Sequence, residues 1–290
     1  MCILFLELSA CPAPDGYRLI LASNRDEAYR RPTDHAHHWE EAPSVFGGRD
    51  QEPGREGGTW LALDTAGRGR LAVLLNVMGS PTQSDMRPRG SLVSDFVRGE
   101  LHAKDYAEAL AKDGLEYSAF HLVTIDLDEA SGGLWHYSNC SPEEGVASEV
   151  THFRSGRLSL GNSVVQEPFR KVAAGGERFD AILAERRADR DRLVEELVAL
   201  LKWDHTHFPD ERLASRAARS NLSLERLQQF SSIYQRHANY GTRTHTVILV
   251  DANWRCDYYE WTLGESREAV DPDKSRWNYI HKTFQLGPSA

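Results

Sequence analysis

The chain lacks any long apolar run; nothing in its 290 residues approaches the roughly 20 consecutive apolar positions that a membrane helix requires. It is also short of positive charge, with 34 Lys and Arg against 43 Asp and Glu and a net charge of -9. Binding to nucleic-acid phosphates calls for a basic stripe, and none is present, so that class of function is excluded. Cysteine is scarce: Cys2, Cys11, Cys140 and Cys256 are scattered without a paired-ligand spacing. Such usage fits free thiols in a reducing compartment and argues against a disulfide framework or a zinc site. Glycines are present but not in a phosphate-cradling order. Gly47, Gly48, Gly54, Gly57 and Gly58 punctuate a loop that leads into a strand at Thr59 to Leu63, and neither a Gly-x-Gly-x-x-Gly nor a Gly-Lys-Ser pattern occurs.

The amino end lacks a basic leader, and Glu7 interrupts the apolar stretch Ile3 to Leu8, so a secretory signal is not expected. It is not Arg-rich either, which disfavours a mitochondrial transit peptide. With 40% hydrophobic and 27% charged residues, the chain reads as one cytoplasmic domain spanning 1-290, able to bury a large core without metal or disulfide. His35, His37 and His38 form a cluster beside Pro32 with no Cys or carboxylate at a ligand interval, and they read as polar loop residues rather than a metal site.

What is present begins with two apolar stretches, Ile3 to Leu8 and Tyr17 to Ala22, flanking a turn with Pro12, Pro14, Asp15 and Gly16. This is a strand hairpin by pattern. Antiparallel pairing carries the run Asn24-Arg25-Asp26-Glu27 back beside Cys2. A cysteine exposed as the first residue by removal of Met1 would carry its own base, since a free α-amine titrates near 7.7 to 8.0. Arg25 would then favour thiolate and Asp26 would orient the amine. Against this stands the ordinary burial of cysteine in cores. Strand alternation adds that adjacent Arg25 and Asp26 face opposite ways unless the backbone bends.

Further strand patterns fall at Arg70 to Asn76, His121 to Asp126, Leu134 to Ser138, Leu158 to Leu160, Thr244 to Asp251 and Tyr258 to Thr262, with an edge strand expected at Trp277 to Leu286. Helical patterns fall at Arg89 to Val97, Lys104 to Lys112 and Phe169 to Lys202, the last with a charged, solvated face from Glu185 to Asp191. The polar stretch Gly264 to Asp273 reads as a loop.

Met1-Cys2-Ile3, Asn24-Arg25-Asp26-Glu27, Gly47-Gly48-Arg49-Asp50, Gly57-Gly58-Thr59-Trp60-Leu61, Leu75-Asn76, Arg89-Gly90-Ser91-Leu92-Val93, Gly161-Asn162-Ser163 and Tyr240-Gly241-Thr242-Arg243-Thr244, taken in order, resemble the NRDE family, and the matching segments run to about residue 265. The resemblance implies an α+β fold of the N-terminal-nucleophile-hydrolase type, an αββα sandwich of two antiparallel sheets flanked by helices. It implies a role in Golgi organisation and protein secretion and in haem or acyl-lipid handling, with Golgi or mitochondrial association. A small acidic and apolar ligand, haem or acyl-CoA, would bind at Asn24, Arg25, Asp26, Glu27 and Arg243, with no cofactor required. Haem iron would take Cys2 or a histidine, and the spacing singles out neither.

The alternative is a Cys2 amidohydrolase or acyltransferase. Leu75-Asn76 and Gly161-Asn162 resemble the asparagine-bearing segments of more distant cysteine amidases of this type, which makes Asn76 and Asn162 candidate oxyanion donors. Those amidases separate their Arg and Asp, whereas Arg25 and Asp26 are adjacent, and Arg243 has no assigned counterpart. The arginines Arg25, Arg49, Arg170 and Arg243 either hold an anion or form structural ion pairs with Asp26, Asp50 and Glu27.

Overall fold

A computed structural model describes residues 1–67, 69–78, 86–113, 116–127, 133–140, 150–218, 223–264 and 276–287. Numbered in chain order, one sheet holds β1 (Ile3–Leu8), β2 (Tyr17–Ala28), β10 (Gly156–Leu160), β11 (Tyr240–Asp251), β12 (Arg255–Leu263) and β13 (Trp277–Gln285), in the spatial order β10-β1-β2-β11-β12-β13. The other runs β3 (Thr33–Trp39), β4 (Ala42–Asp50), β5 (Leu61–Asp64), β6 (Arg70–Asn76), β7 (Phe120–Asp126), β8 (Gly133–Ser138) and β9 (Thr151–Phe153), each beside the next in sequence. All pairings between these strands are antiparallel.

Strand alternation sorts the apolar residues into three layers of core. Leu4, Leu6, Leu19 and Leu21 meet Phe46, Leu63, Val73 and Ile125 between the two sheets. On the opposite face of the first sheet, Ile3, Phe5, Ile20 and Val247 pack under α3 (Arg170–Arg186), α4 (Arg190–Leu201) and α5 (Glu211–Ala217) through Phe179, Leu197 and Leu213. Leu227 and Phe230 of α6 (Leu224–Phe230) join that layer while half-buried. On the outer face of the second sheet, Ala62, Leu74 and Phe120 pack under α1 (Ser91–Arg98) and α2 (Ala103–Asp113). The order is therefore helix, sheet, sheet, helix. No helix among the described residues is long and apolar enough to cross a membrane.

The hairpin, the interior strands, the first two helices and the edge strand β13 fall where the sequence places them. Four expectations change. Gly47 and Gly48, read as part of a loop, lie on β4, where Gly47 pairs with His37 and Ala62. The pattern from Phe169 to Lys202 is two helices, because Asp189 leaves helical geometry and its side chain accepts from the Arg192 N–H, capping α4. The histidines His35, His37 and His38 lie on β3 rather than in a loop; this edge strand buries only Thr33, Ala36 and Trp39, and a register shift between Asp34 and His37 breaks strict alternation. The strand expected from Thr244 starts four residues earlier, at Tyr240. Most of Gly264 to Asp273 lies outside the described residues.

Candidate functional site

Pairing of Ile3 with Asn24 fixes the register of β1 on β2, and parity does the rest. Cys2 shares a face with Leu4 and Leu6 and packs against the inter-sheet core. Arg25 lies on that same face, with its guanidinium carbon 4.1 Å from the centroid of the Trp60 ring and its Nη1 donating to Thr33 Oγ1 at 3.2 Å. Asn24 and Asp26 point the other way, into the helix layer. β2 does not bend to bring Arg25 and Asp26 together. The irregularity sits in the neighbouring strand: β11 pairs Thr242 with Asp26 and Thr244 with Arg25, leaving Arg243 as the extra residue of a bulge.

On the helix side, Asp26 Oδ1 accepts from Thr242 Oγ1 at 2.7 Å, and Oδ2 lies 3.0 Å from the Met1 ammonium. That ammonium also donates to the Tyr240 hydroxyl, which in turn donates to the Asp26 carbonyl at 3.2 Å. Burial lowers the Met1 amine below its ordinary value, with Asp26 opposing the shift. Lys171, fully buried and donating to the Ser232 carbonyl at 3.0 Å, is pushed down to about 8 by the same desolvation. Asn24 acts as a clasp: its Nδ2 donates to the carbonyls of Leu201 (2.8 Å) and Ile233 (3.3 Å), and its Oδ1 pairs with His245 Nδ1 at 2.7 Å. Arg243 is buried and bonds the backbone carbonyls of Ala28 and Arg31.

On the inter-sheet side a cleft of about 450 Å³ opens at the end of the sandwich, lined by Cys2, Arg25, Glu27, Trp60, Asn76 and Arg89 among others. Asn24, Arg243 and Asn162 are not among its lining residues. Asn76 ends β6 exposed, and its carbonyl accepts the Nδ2 of Asn162 at 2.6 Å, so the Asn162 amide protons point to Asn76 backbone. Burial raises the Cys2 thiol, an effect the Met1 ammonium only partly offsets, so the sulfur is a thiol at neutral pH. The Asp26 N–H donates to Cys2 Sγ at 3.4 Å.

Two carboxylates of the cleft, Asp50 and Glu27, are claimed by Arg31, which the sequence reading did not single out. Its Nε and Nη2 grip Asp50 at 3.0 and 2.5 Å, and its Nη1 reaches Glu27 at 3.2 Å. Arg49 pairs instead with Glu41 and stacks 4.5 Å over Trp39. Arg170 contributes only its backbone N–H, to Asp210 at 2.7 Å, among its described bonds. Arg25 and Arg89 have no carboxylate within ion-pair distance among the described residues. Arg89, bonded through Nη1 to the Ala119 carbonyl at 2.8 Å, is pushed down to about 10 by burial and by the neighbouring Arg55 cation.

Two glycines make this wall. A side chain at Gly58 would come within 3.2 Å of Gly90 Cα, and one at Gly90 within 3.0 Å of Gly58 Cα. The Thr59 N–H donates across this contact to the Gly90 carbonyl at 3.1 Å. The glycine-rich loop and the start of α1 are thus joined backbone to backbone, and Trp60, Arg89 and Gly90 are delivered together. Arg89 and Trp60 stood inside motif blocks, but nothing in their spacing marked them as one wall.

Two packed antiparallel sheets with helices on both outer faces define an αββα sandwich. The family model described as Transport and Golgi organisation 2 matches residues 1–265, and the chain belongs to that family. It is 39% identical to Transport and Golgi organization protein 2 of Drosophila melanogaster over 297 aligned residues, covering 99% of this chain and all of that protein. It is 34% and 31% identical to the homologs of Bos taurus and Homo sapiens, over 99% of both chains in each case. Among solved structures, a Caenorhabditis elegans N-acylethanolamine-hydrolyzing acid amidase ortholog aligns with a TM-score of 0.45 at 12% identity, covering 87% of this chain and 96% of that one.

Proposed function

We propose that the protein is a trafficking or homeostasis protein that binds a small acidic and apolar ligand in the cleft beside Cys2, serving Golgi organisation and secretion through haem or acyl-lipid handling. The observation that carries this reading is the buried Arg25 guanidinium, held between Trp60 and Thr33 and left without a carboxylate while Arg31 takes Glu27 and Asp50. Burial lowers the Arg25 pKa despite the nearby Glu27 and Asp50 charges, and an anionic ligand in direct contact would offset that desolvation. Arginine also offers the planar fork that suits carboxylate and phosphate groups. The cleft volume lies within the usual range for small-molecule sites. No histidine is among its lining residues, and the one thiol there is held neutral by burial, so the donor set favours recognition of acidic groups over ligation of haem iron.

Binding is measured by fluorescence quenching with palmitoyl-CoA and, separately, haemin. Arg25→Gln is expected to weaken binding about tenfold or more, roughly 1.4 kcal/mol, and Cys2→Ala to leave it nearly unchanged. Undiminished binding of both probes to Arg25→Gln would remove the cleft from consideration.

Cys2 and Asn76 lining one cleft favours a second reading, a Cys2 amidohydrolase or acyltransferase. With Met1 in place the only α-amine is engaged by Asp26, on the face of the sheet opposite the thiol, so this chemistry requires removal of Met1. Turnover of amide or thioester substrates should then vanish in Cys2→Ser and in a form retaining Met1. Equal turnover by either variant would reject it.

A further inference from the structure

Resting on the ligand-binding reading above, we infer that the inner wall of the cleft is built for a phosphate ester dianion rather than a carboxylate. Charge balance is the first reason. Among the described lining residues, Asp50 and Glu27 are taken by Arg31, and the Asp26 carboxylate is turned to the opposite face of the sheet. Glu56, on the exposed loop, bonds the Gly54 N–H at 2.7 Å. Arg49 and Arg87 pair with Glu41 and Glu116 outside the lining and Asp26 with the Met1 ammonium, so Arg25, Arg31, Arg55, Arg89 and Arg98 stand against Glu27, Asp50 and Glu56, an excess of two positive charges. One carboxylate would leave this set under-neutralised; a phosphate ester, carrying about -1.5 to -2 at neutral pH, matches it.

The donor geometry is the second reason. Gly90, Ser91, Ser94 and Arg98 line the cleft, so one face of α1 runs along it from the amino end to the last turn. Gly90 caps that eight-residue helix without a side-chain bond, and its first turn contains no acid. The Leu92 N–H is already bonded to the Arg89 carbonyl at 3.0 Å, so what α1 adds to the arginines is the positive end of its dipole. Arg25 supplies the independent observation: it is 6% exposed, reaches the cleft, and makes no ion pair among the described residues, Glu27 and Asp50 acting on it only from beyond contact. The apolar part of such a ligand would extend past Trp60 and Leu74, which line the same cleft. The phosphate ester could be a soluble metabolite or a phospholipid headgroup, since both present the same dianion.

Phenyl phosphate and benzoate share a ring and differ in the headgroup, so isothermal titration of both against the full chain isolates the preference. Phenyl phosphate is expected to bind about tenfold or more tightly at pH 7.5, an advantage that shrinks as pH falls through about 6, where the dianion takes up a proton. Arg89→Gln should cut phenyl phosphate binding about tenfold or more and benzoate binding less. Arg55→Gln, on an exposed loop where folding is not at stake, should lower it in the same direction. Benzoate binding that is lost in Arg25→Gln, with no preference for phenyl phosphate, overturns the phosphate inference and leaves the ligand-binding cleft standing. Failure of both probes to bind overturns the inference, and if palmitoyl-CoA and haemin also bind Arg25→Gln normally, the cleft reading falls with it. Flotation with phosphatidic acid and phosphatidylcholine vesicles separates the sources. Capture competed by phenyl phosphate assigns a lipid headgroup, and phenyl phosphate binding without capture assigns a soluble ester.

Discussion

Arg25 and Asn24 are neighbours in sequence with unlike work, and substitution should separate them. Asn24→Ala removes the donor to the Leu201 and Ile233 carbonyls and the partner of His245 Nδ1, all of them buried. Leaving such groups unsatisfied is expected to cost about 3 kcal/mol of stability, read as a lower denaturation midpoint, with ligand affinity unchanged in the fraction that stays folded. Trp60→Ala acts in the opposite manner. It removes the ring on which the Arg25 guanidinium lies, a contact of about 0.5 to 2 kcal/mol, and the expected result is weaker ligand binding in titration with a small change in stability.

At the scale of elements, the contact between Gly58 and Gly90 decides whether α1 reaches the cleft. A methyl group at Gly90 must push against Gly58 Cα and the Thr59 nitrogen, 3.0 and 3.2 Å away, which are backbone atoms with little room to yield. Gly90→Ala is therefore expected to destabilise by about 1 to 3 kcal/mol and to weaken binding through displacement of Arg89; full binding in this variant would separate the wall from the helix. This scale is also where the sequence was most and least legible. The hairpin and β6, β7 and β11 were readable because Ile3 to Leu8, Arg70 to Asn76 and Val247 to Val250 are apolar runs bounded by turn residues. β3 was not, because Asp34, His35, His37 and His38 put polar groups on an edge strand whose buried positions are only Thr33, Ala36 and Trp39. At the site, Cys2 and Arg25 could be placed together from the hairpin register. The roles of Arg31 and Arg89 could not, since they depend on which of several carboxylates each arginine meets after the sheets pack.

For the whole molecule, three buried histidines set the response to acid. Burial lowers His121 from 6.5 to about 4, and His136 and His245 to about 3. His121 sits between His136 and the Ser163 carbonyl, at 3.1 and 2.6 Å, and His245 faces Asn24. The unfolded chain binds a proton at each near pH 6.5, while the folded chain refuses it until about pH 4 or 3. Stability is therefore highest above pH 6.5 and falls as pH drops toward those lower values, by about 1.4 kcal/mol per pH unit for each histidine. Denaturant midpoints should hold nearly level from pH 7.5 to about 6.5 and fall from there to pH 5, and His245→Gln should flatten the slope. An unchanged slope would show that the folded state accepts the proton at no cost.

The opposite placement of Arg25 and Asp26 makes the first sheet a partition in which one step along the chain changes the sign of the charge presented. If β2 slipped by a single residue, a carboxylate would stand where the guanidinium now faces the thiol, and the cleft would repel the anions it is suited to hold. The surplus residue in β11, Arg243, lets that strand stay in phase with β2 on either side of the motif, so the polarity of the cleft is secured by the pairing of a neighbouring strand.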